Sequence, residues 1–467
     1  MEHRDVYLNW INGQWKQGGS GQWLENRNPA KPSEILGKMA ISSTTDVERA
    51  VSAAVASQAA WNEKPRSQRA HVLGKMATIL KGRIEVLAKS LTREHGQNLA
   101  ASRAEISLAI ARIENYAAQG RLTSSTSSTT ESGFSWREVA PFGVVAIIGG
   151  STQPFLRGLC ATASALIEGN GVLFKPSSLV PGIAVQIVRT WEEAGLPPGI
   201  LNLVFGPGKL ICPALALDPR VDLIHFSGSA DNALSLQGTA ASRPVQLKLQ
   251  PFQNSVVAVL ADADIEIAAD RLIWGAFSHS GQYPDSPRVV VVDQAVSAAL
   301  TQALTTRLKS IHLGDGNSEP EAVGPMVEPA RSDLFQEAVQ NLLSGGLRSV
   351  GTGSAGPSSG YATPTILQEP RTERLLENIS STGGPLLILT SADGKAATLD
   401  WATRMASATP RFAPLSLSVF TKDPLMVARF PTVVRAGSLH LNELPSSPQA
   451  AFDPAEFSRI RVITIAT

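Results

Sequence analysis

The chain has 467 residues, long enough for roughly two or three domains around a large buried core. Its 41 basic and 40 acidic residues leave a net charge of +1, which excludes a nucleic acid or a membrane surface held by bulk electrostatics. Two cysteines exclude a disulfide-stapled secreted domain, and seven scattered histidines show no ligand spacing.

From the N-terminus, "MEHRDVYLNWINGQW" lacks a basic-then-apolar targeting pattern. No later run approaches the ~18 apolar residues of a membrane span. The expected location is the cytoplasm, without nucleic-acid or membrane partners. "YLNWINGQW" alternates around Asn12-Gly13 and predicts a hairpin. "STTDVERAVSAAVASQAAW" opens on a Ser/Thr and acidic signal and predicts an Ala-rich helix. Two further stretches, "RSQRAHVLGKMATILKGRIEVLAKSLTREHG" and "ASRAEISLAIARIENYAAQG", continue with helical spacing. The Ser/Thr-rich "RLTSSTSSTTESGFSWREVAP" reads as an exposed extended or disordered connection.

Beyond it the texture changes. "GVVAIIGG", "GVLFKPSS", "ILNLVF" and "VDLIHFSGS" are short apolar strands, separated by the helical "RGLCATASALIEG" and "PGIAVQIVRTWEEAG". Such alternation predicts a parallel, doubly wound sheet. A second α/β series starts near residue 255, with "DIEIAADRLIWGAF", "RVVVV" and "VSAALTQALTTRLKSI". The alternating tail "RIRVITIAT" suits an edge strand added to another element or subunit. Cys160 and Cys212 lie in helix-like apolar stretches and read as small core residues.

Several blocks recur in a known order. They are "NPA" at Asn28–Ala30, "PFGVVAII" at Pro141–Ile148, "GNGVLFKPS" at Gly169–Ser177, and "GLPPGILNLVFGPG" at Gly195–Gly208. "FSGS" at Phe226–Ser229, "LADAD" at Leu260–Asp264, "WGAF" and "SGQ" within Trp274–Gln282, and "RAGSLHLN" at Arg435–Asn442 complete the series. On these the chain resembles the aldehyde dehydrogenase superfamily over nearly its full length. The resemblance implies an α/β, aldehyde dehydrogenase-like fold: two doubly wound Rossmann-type domains plus a small β bridging element. The expected bounds are 1–120 with 141–250 for the dinucleotide-binding domain and 251–440 for the catalytic domain. Residues 121–140 with 445–467 would form the bridging and oligomerisation element. A homodimer through the C-terminal strand, or a hetero-oligomer with an active relative, is implied as well.

In that family a cysteine after "GQx" attacks the carbonyl, an Asn side chain holds the oxyanion, and a Glu activates water. In this sequence Pro284 stands at the cysteine position, Thr152 at the Asn, and Lys248 at the Glu. Lys175 keeps the adenosine-ribose position, whereas Ser178 replaces its usual acidic neighbour. Gly228 and Ser229 keep a helix start suited to a pyrophosphate, but Ala233 replaces the next glycine. Ser381 and Gly383 replace an acidic and an aromatic residue at the nicotinamide end.

The expectation on these substitutions is a chain that has lost NAD(P)-dependent aldehyde oxidation, a pseudoenzyme with an assembly or regulatory role. No cofactor is expected; Lys175, Gly228 and Ser229 would mark a vestigial NAD(P) site. The alternative is a repurposed enzyme catalysing cyclisation, isomerisation or decarboxylation of a small-molecule intermediate in the old pocket. Its catalytic candidates are Lys248, Asp285, Thr152, His279 and Tyr283. Lys248 and Asp285 would face each other as an acid–base pair, or as a neutralising ion pair. His279 would be a proton shuttle or a packing residue, and Tyr283 would line a cleft or pack. Arg157 and Arg411 are further candidates, for a carboxylate and for the substrate tunnel.

Overall fold

A computed structural model describes residues 5–119, 126–130, 133–251, 255–358, 360–369, 383–407, 416–423, 425, 438–445 and 453–466. The chain divides into two compact units. One holds Met1–His95, Ala101–Gln250 and Ala450–Thr467; the other holds Gly96–Ala100 and Pro251–Gln449.

The first unit is built on a seven-stranded sheet. Its order is Gln246–Pro251, Leu223–Gly228, Val144–Ile148, Gly171–Lys175, Leu201–Leu203, Asn9–Ile11 and Gln14–Lys16. The pairings among the strands from Leu223 to Leu203 are parallel. Val144–Ile148, Gly171–Lys175 and Leu223–Gly228 are buried along their whole length, as a sheet covered on both faces requires. The hairpin Asn9–Lys16 closes the far edge. Its turn residues Asn12 and Gly13 have φ of 51° and 74°, the left-handed pair of a two-residue hairpin loop. The helix Thr44–Asn62 starts at a capping box, in which Ser43 and Asp46 each bond the other's backbone N–H.

The Ser/Thr-rich stretch is ordered as strand over its described part. Thr126–Thr130 pairs antiparallel with Gly133–Pro141, which pairs antiparallel with Ser458–Ala466. The tail is tied down at its start. Phe457 is fully buried, its carbonyl accepts from Asn170 Nδ2 at 2.8 Å, and its ring lies 5.4 Å from that of His225.

The second unit repeats the α/β plan. Its sheet runs Arg348–Thr352, Thr365–Gln368, Leu386–Ala392, Pro287–Asp293, Ser255–Val259, Ser416–Phe420 and Ser438–Leu441. Side chains alternate between two apolar layers. Val289 and Val291 join the core that includes Phe335 and Trp401. Val290 and Val292 join the core that includes Leu272 and Leu304. The run of four valines is therefore the signature of a strand buried on both sides. Among the described residues no helix is long and apolar enough to cross a membrane. Among them no group of three or more His, Cys, Asp or Glu is placed to hold a metal.

Candidate active-site elements

In the first unit the chain reverses its winding between Val144–Ile148 and Leu223–Gly228. Open parallel sheets bind ligands at the carboxyl ends of the strands beside such a reversal. Two helices begin there. The helix Pro154–Ile167 is closed by protein: the buried Glu105 carboxylate accepts from the N–H groups of Phe155 at 2.9 Å and Leu156 at 3.1 Å. The helix Ala230–Ala240 begins at the exposed Ser229, whose hydroxyl accepts only a long 3.4 Å bond from Asn232 N–H. An anion therefore has one open helix N-terminus at this reversal, at Gly228-Ser229.

Lys175 ends the neighbouring strand. The residue is 5 % exposed, and its ammonium donates to the Pro176 carbonyl at 2.9 Å. Burial lowers its pKa, and the nearby Cys212 thiol opposes that shift. The Ser178 hydroxyl donates to Gly206 O at 3.1 Å. Thr152 is buried in the turn after Val144–Ile148, beside Gln153, which takes a left-handed φ of 46°. The His95 ring hydrogen-bonds the Ser151 backbone, and complete burial lowers its pKa to about 4. Arg157 is buried, and one of its terminal nitrogens donates to Ser227 Oγ at 3.1 Å. Lys248 is half-buried on Gln246–Pro251; its charge opposes the burial that raises the Glu456 pKa.

In the second unit the loop 278–286 joins the helix Ile265–Phe277 to the strand Pro287–Asp293. Its backbone is unusual. His279, Ser280 and Gly281 have φ of 55°, 54° and 59°, three left-handed residues in a row. A non-glycine residue held this way costs about 1–3 kcal/mol and persists only where its surroundings enforce it. Here they do. Ser280 Oγ donates to Gly324 O, and Gln282 donates to His279 O at 2.9 Å while accepting from Val327 N–H at 2.9 Å. The buried Arg288 guanidinium donates to the carbonyls of Gly281, Gly384 and Leu386. Gly281 must be glycine, because a Cβ there would stand 2.2 Å from Gly384 O.

The tightly held loop brings two of the predicted residues together. Tyr283 Oη and His279 Nε2 are 2.7 Å apart, and their rings stack at 4.0 Å between centroids and 26° between planes. Pro284 beside them is buried and Asp285 is half-buried. Lys248 belongs to the first unit and Asp285 to the second. Ser381 and Arg411 lie outside the described residues. Both sulfurs are in the first unit: Cys160 is fully buried with its pKa pushed up to about 12, and burial also raises Cys212. Glu105, His95 and Arg288 were not legible in the sequence. Glu105 acts on a helix fifty residues away, and Arg288 on carbonyls of two separate loops.

The aldehyde dehydrogenase family profile matches residues 15–454. The chain is 30 % identical over 452 residues to the alpha-ketoglutaric semialdehyde dehydrogenase of Bacillus subtilis, covering 95 % of this chain and 91 % of that one. It is 31 % identical over 363 residues to the N-succinylglutamate 5-semialdehyde dehydrogenase of Paraburkholderia xenovorans, covering 76 % and 74 %. Among solved structures, an NAD-dependent benzaldehyde dehydrogenase from Corynebacterium glutamicum superposes with a TM-score of 0.89 at 28 % identity, covering 100 % of this chain and 99 % of that one.

These relatives correct two expectations. The pseudoenzyme reading and its non-redox alternative are overturned by relatives named as semialdehyde dehydrogenases, one matching 95 % of this chain and the other 76 %. The expectation of no cofactor is overturned by the family match together with an NAD-dependent relative that shares this fold along its length. The physical reason lies in the premise. Reading Pro284, Thr152 and Lys248 one position at a time assumes that only one set of side chains can prepare an aldehyde for oxidation. Hydride leaves once a nucleophile has made the carbonyl carbon tetrahedral and its oxygen can return the electrons, and side chains other than a thiol can serve as nucleophiles in covalent catalysis.

Proposed function

The chain belongs to the aldehyde dehydrogenase family, and on that premise we propose that it oxidises an aldehyde with NAD or NADP, its substrate being a semialdehyde of a carboxylic acid. The observation that carries this reading is the end-to-end relation to a semialdehyde dehydrogenase, at 95 % coverage of this chain. The strand ends of the first unit support it, because the residues present suit a dinucleotide. The open helix start at Gly228-Ser229 offers a place for its diphosphate, and the buried Lys175 offers a cation at the end of the strand on the other side of Val144–Ile148. Bound NAD(P) supplies the hydride acceptor. On this reading residues 1–120 with 141–250 form the dinucleotide-binding domain and residues 251–440 the catalytic domain. The Thr152 hydroxyl, beside the strand ends, takes the part of an oxyanion donor. The sheet formed by 121–140 and 445–467 serves assembly, as a dimer in the cytoplasm.

The test has two stages. Calorimetric titration with NAD and NADP is expected to show saturable binding of at least one of them. Alpha-ketoglutaric semialdehyde or N-succinylglutamate 5-semialdehyde is then expected to yield reduced nicotinamide and the acid. Failure of both dinucleotides to bind, together with no reduction on either aldehyde, overturns the proposal.

A further inference from the structure

Within the first unit, Gly228-Ser229 ends one strand and Lys175 another, and Val144–Ile148 lies between those two strands. The three run parallel, so their carboxyl ends share one edge of the sheet. A dinucleotide reaching from Gly228-Ser229 to Lys175 crosses the turn 149–153 that follows Val144–Ile148. The exposed part of that turn is glycine: Gly149 and Gly150 are half-exposed, whereas Ser151, Thr152 and Gln153 are buried. Packing does not demand glycine at position 149. Its φ is not left-handed, and the nearest neighbours of an added Cβ, Phe174 and Pro176, would stand 3.6 Å away. The glycine leaves clear the space beside Pro176, at the end of the Lys175 strand.

A histidine holds this turn. His95 ends the helix Ile84–His95 and is 1 % exposed. Its ring hydrogen-bonds the Ser151 backbone, and its Nδ1 has no partner among the described residues, so Nε2 makes that bond. The bond favours the protonated ring; Nε2–H therefore donates and the Ser151 carbonyl accepts. Two residues on, Gln153 is left-handed with φ of 46°. A buried nitrogen without a partner and a left-handed non-glycine residue are both unfavourable, and such features gather at functional sites. The preceding residue, Glu94, accepts from the N–H groups of Gly182 at 2.6 Å and Ile183 at 2.8 Å, where the helix after the Lys175 strand begins. One helix end thus fixes the connections that follow two neighbouring strands.

We propose that His95 is a positioning residue for the dinucleotide: by holding Ser151 it sets the course of the backbone at Gly149-Gly150, which the cofactor crosses. This rests on the proposed use of NAD or NADP by the first unit. His95 does not touch the cofactor; it acts through the turn.

Calorimetric titration of the full chain with NAD and with NADP reads the effect, alongside urea melts of the same samples. His95→Leu removes the donor and is expected to weaken binding of whichever dinucleotide the parent takes by about tenfold. His95→Gln returns an N–H donor and is expected to come within about threefold of the parent. Gly149→Ala places one methyl beside Pro176; the urea midpoint is expected to hold while affinity falls by about tenfold or more. A folded His95→Leu that binds as tightly as the parent overturns the positioning role, as does a His95→Gln no better than His95→Leu. Parent affinity in Gly149→Ala also overturns it. If His95→Leu does not fold, the other two variants decide: a folded His95→Gln that loses binding, or an unaffected Gly149→Ala, overturns the role. A parent that binds neither dinucleotide overturns the cofactor reading and this role with it. Binding in the parent with no change in the variants overturns this role alone.

Discussion

Glu105 accepts from the main-chain N–H of Phe155 at 2.9 Å and of Leu156 at 3.1 Å, so a buried carboxylate closes the start of the helix Pro154–Ile167 in the first unit. Removing it leaves two buried donors without a partner. Glu105→Ala is expected to destabilise the chain by about 2–4 kcal/mol in urea unfolding. Glu105→Gln keeps an acceptor but loses the charge facing the helix dipole, so a smaller loss of about 1 kcal/mol is expected. An alanine variant as stable as the parent would refute the capping role.

The second prediction concerns Arg288. The carbonyls of Gly281, Gly384 and Leu386 hold it, and burial lowers its pKa to about 10. Arg288→Lys replaces a planar fork of N–H donors with a compact ammonium that cannot span the three carbonyls, and is expected to cost about 2 kcal/mol or more. Because the same guanidinium pins Gly281, turnover should fall further than stability alone explains. Parallel urea melts and rate measurements check this, and a lysine variant with the parent's rate would count against the pinning.

His95 gives the chain an acid limit. Its folded-state pKa of about 4 lies below the ordinary 6.5. Between those values the unfolded chain binds a proton that the native chain refuses, so stability falls as pH drops from 6.5 toward 4. The slope is about 1.4 kcal/mol per pH unit for one such group. Above 6.5 neither state is protonated and this contribution is flat. His95→Gln is expected to flatten the acid limb measured by denaturant melts at a series of pH values. An unchanged limb would show that another group sets it.

Lys175 should trade stability for binding. Burial lowers its pKa, so the buried ammonium is a load on the fold. Lys175→Met is expected to leave the unfolding midpoint unchanged or raised. The same variant is expected to bind dinucleotide about tenfold more weakly, or worse, through loss of a charged hydrogen-bond donor. Equal affinity in parent and variant would remove Lys175 from the cofactor site.

The fold was legible because its determinants are periodic and local. The run Val289–Val292, the turn Asn12-Gly13 and the Ser43–Asp46 cap each announce their element within a few residues. The ordered family blocks did the same for the whole architecture. The loop was harder. "SHSGQYPDSP" shows a histidine and a tyrosine four residues apart, yet this spacing brings them into contact only because the backbone between them is left-handed. That conformation follows from Ser280, Gln282 and Arg288 bonding to parts of the chain up to 98 residues distant.

The amino-acid sequence by itself determined the two α/β units, their strands and their place in the aldehyde dehydrogenase family, since apolar periodicity and turn chemistry act between near neighbours. The tertiary structure alone decided which helix N-terminus stays open to an anion, which way Arg157 points, and that Tyr283 meets His279. Those outcomes depend on buried hydrogen bonds between segments far apart in the chain, where one carboxylate or guanidinium chooses among several partners that no local pattern distinguishes.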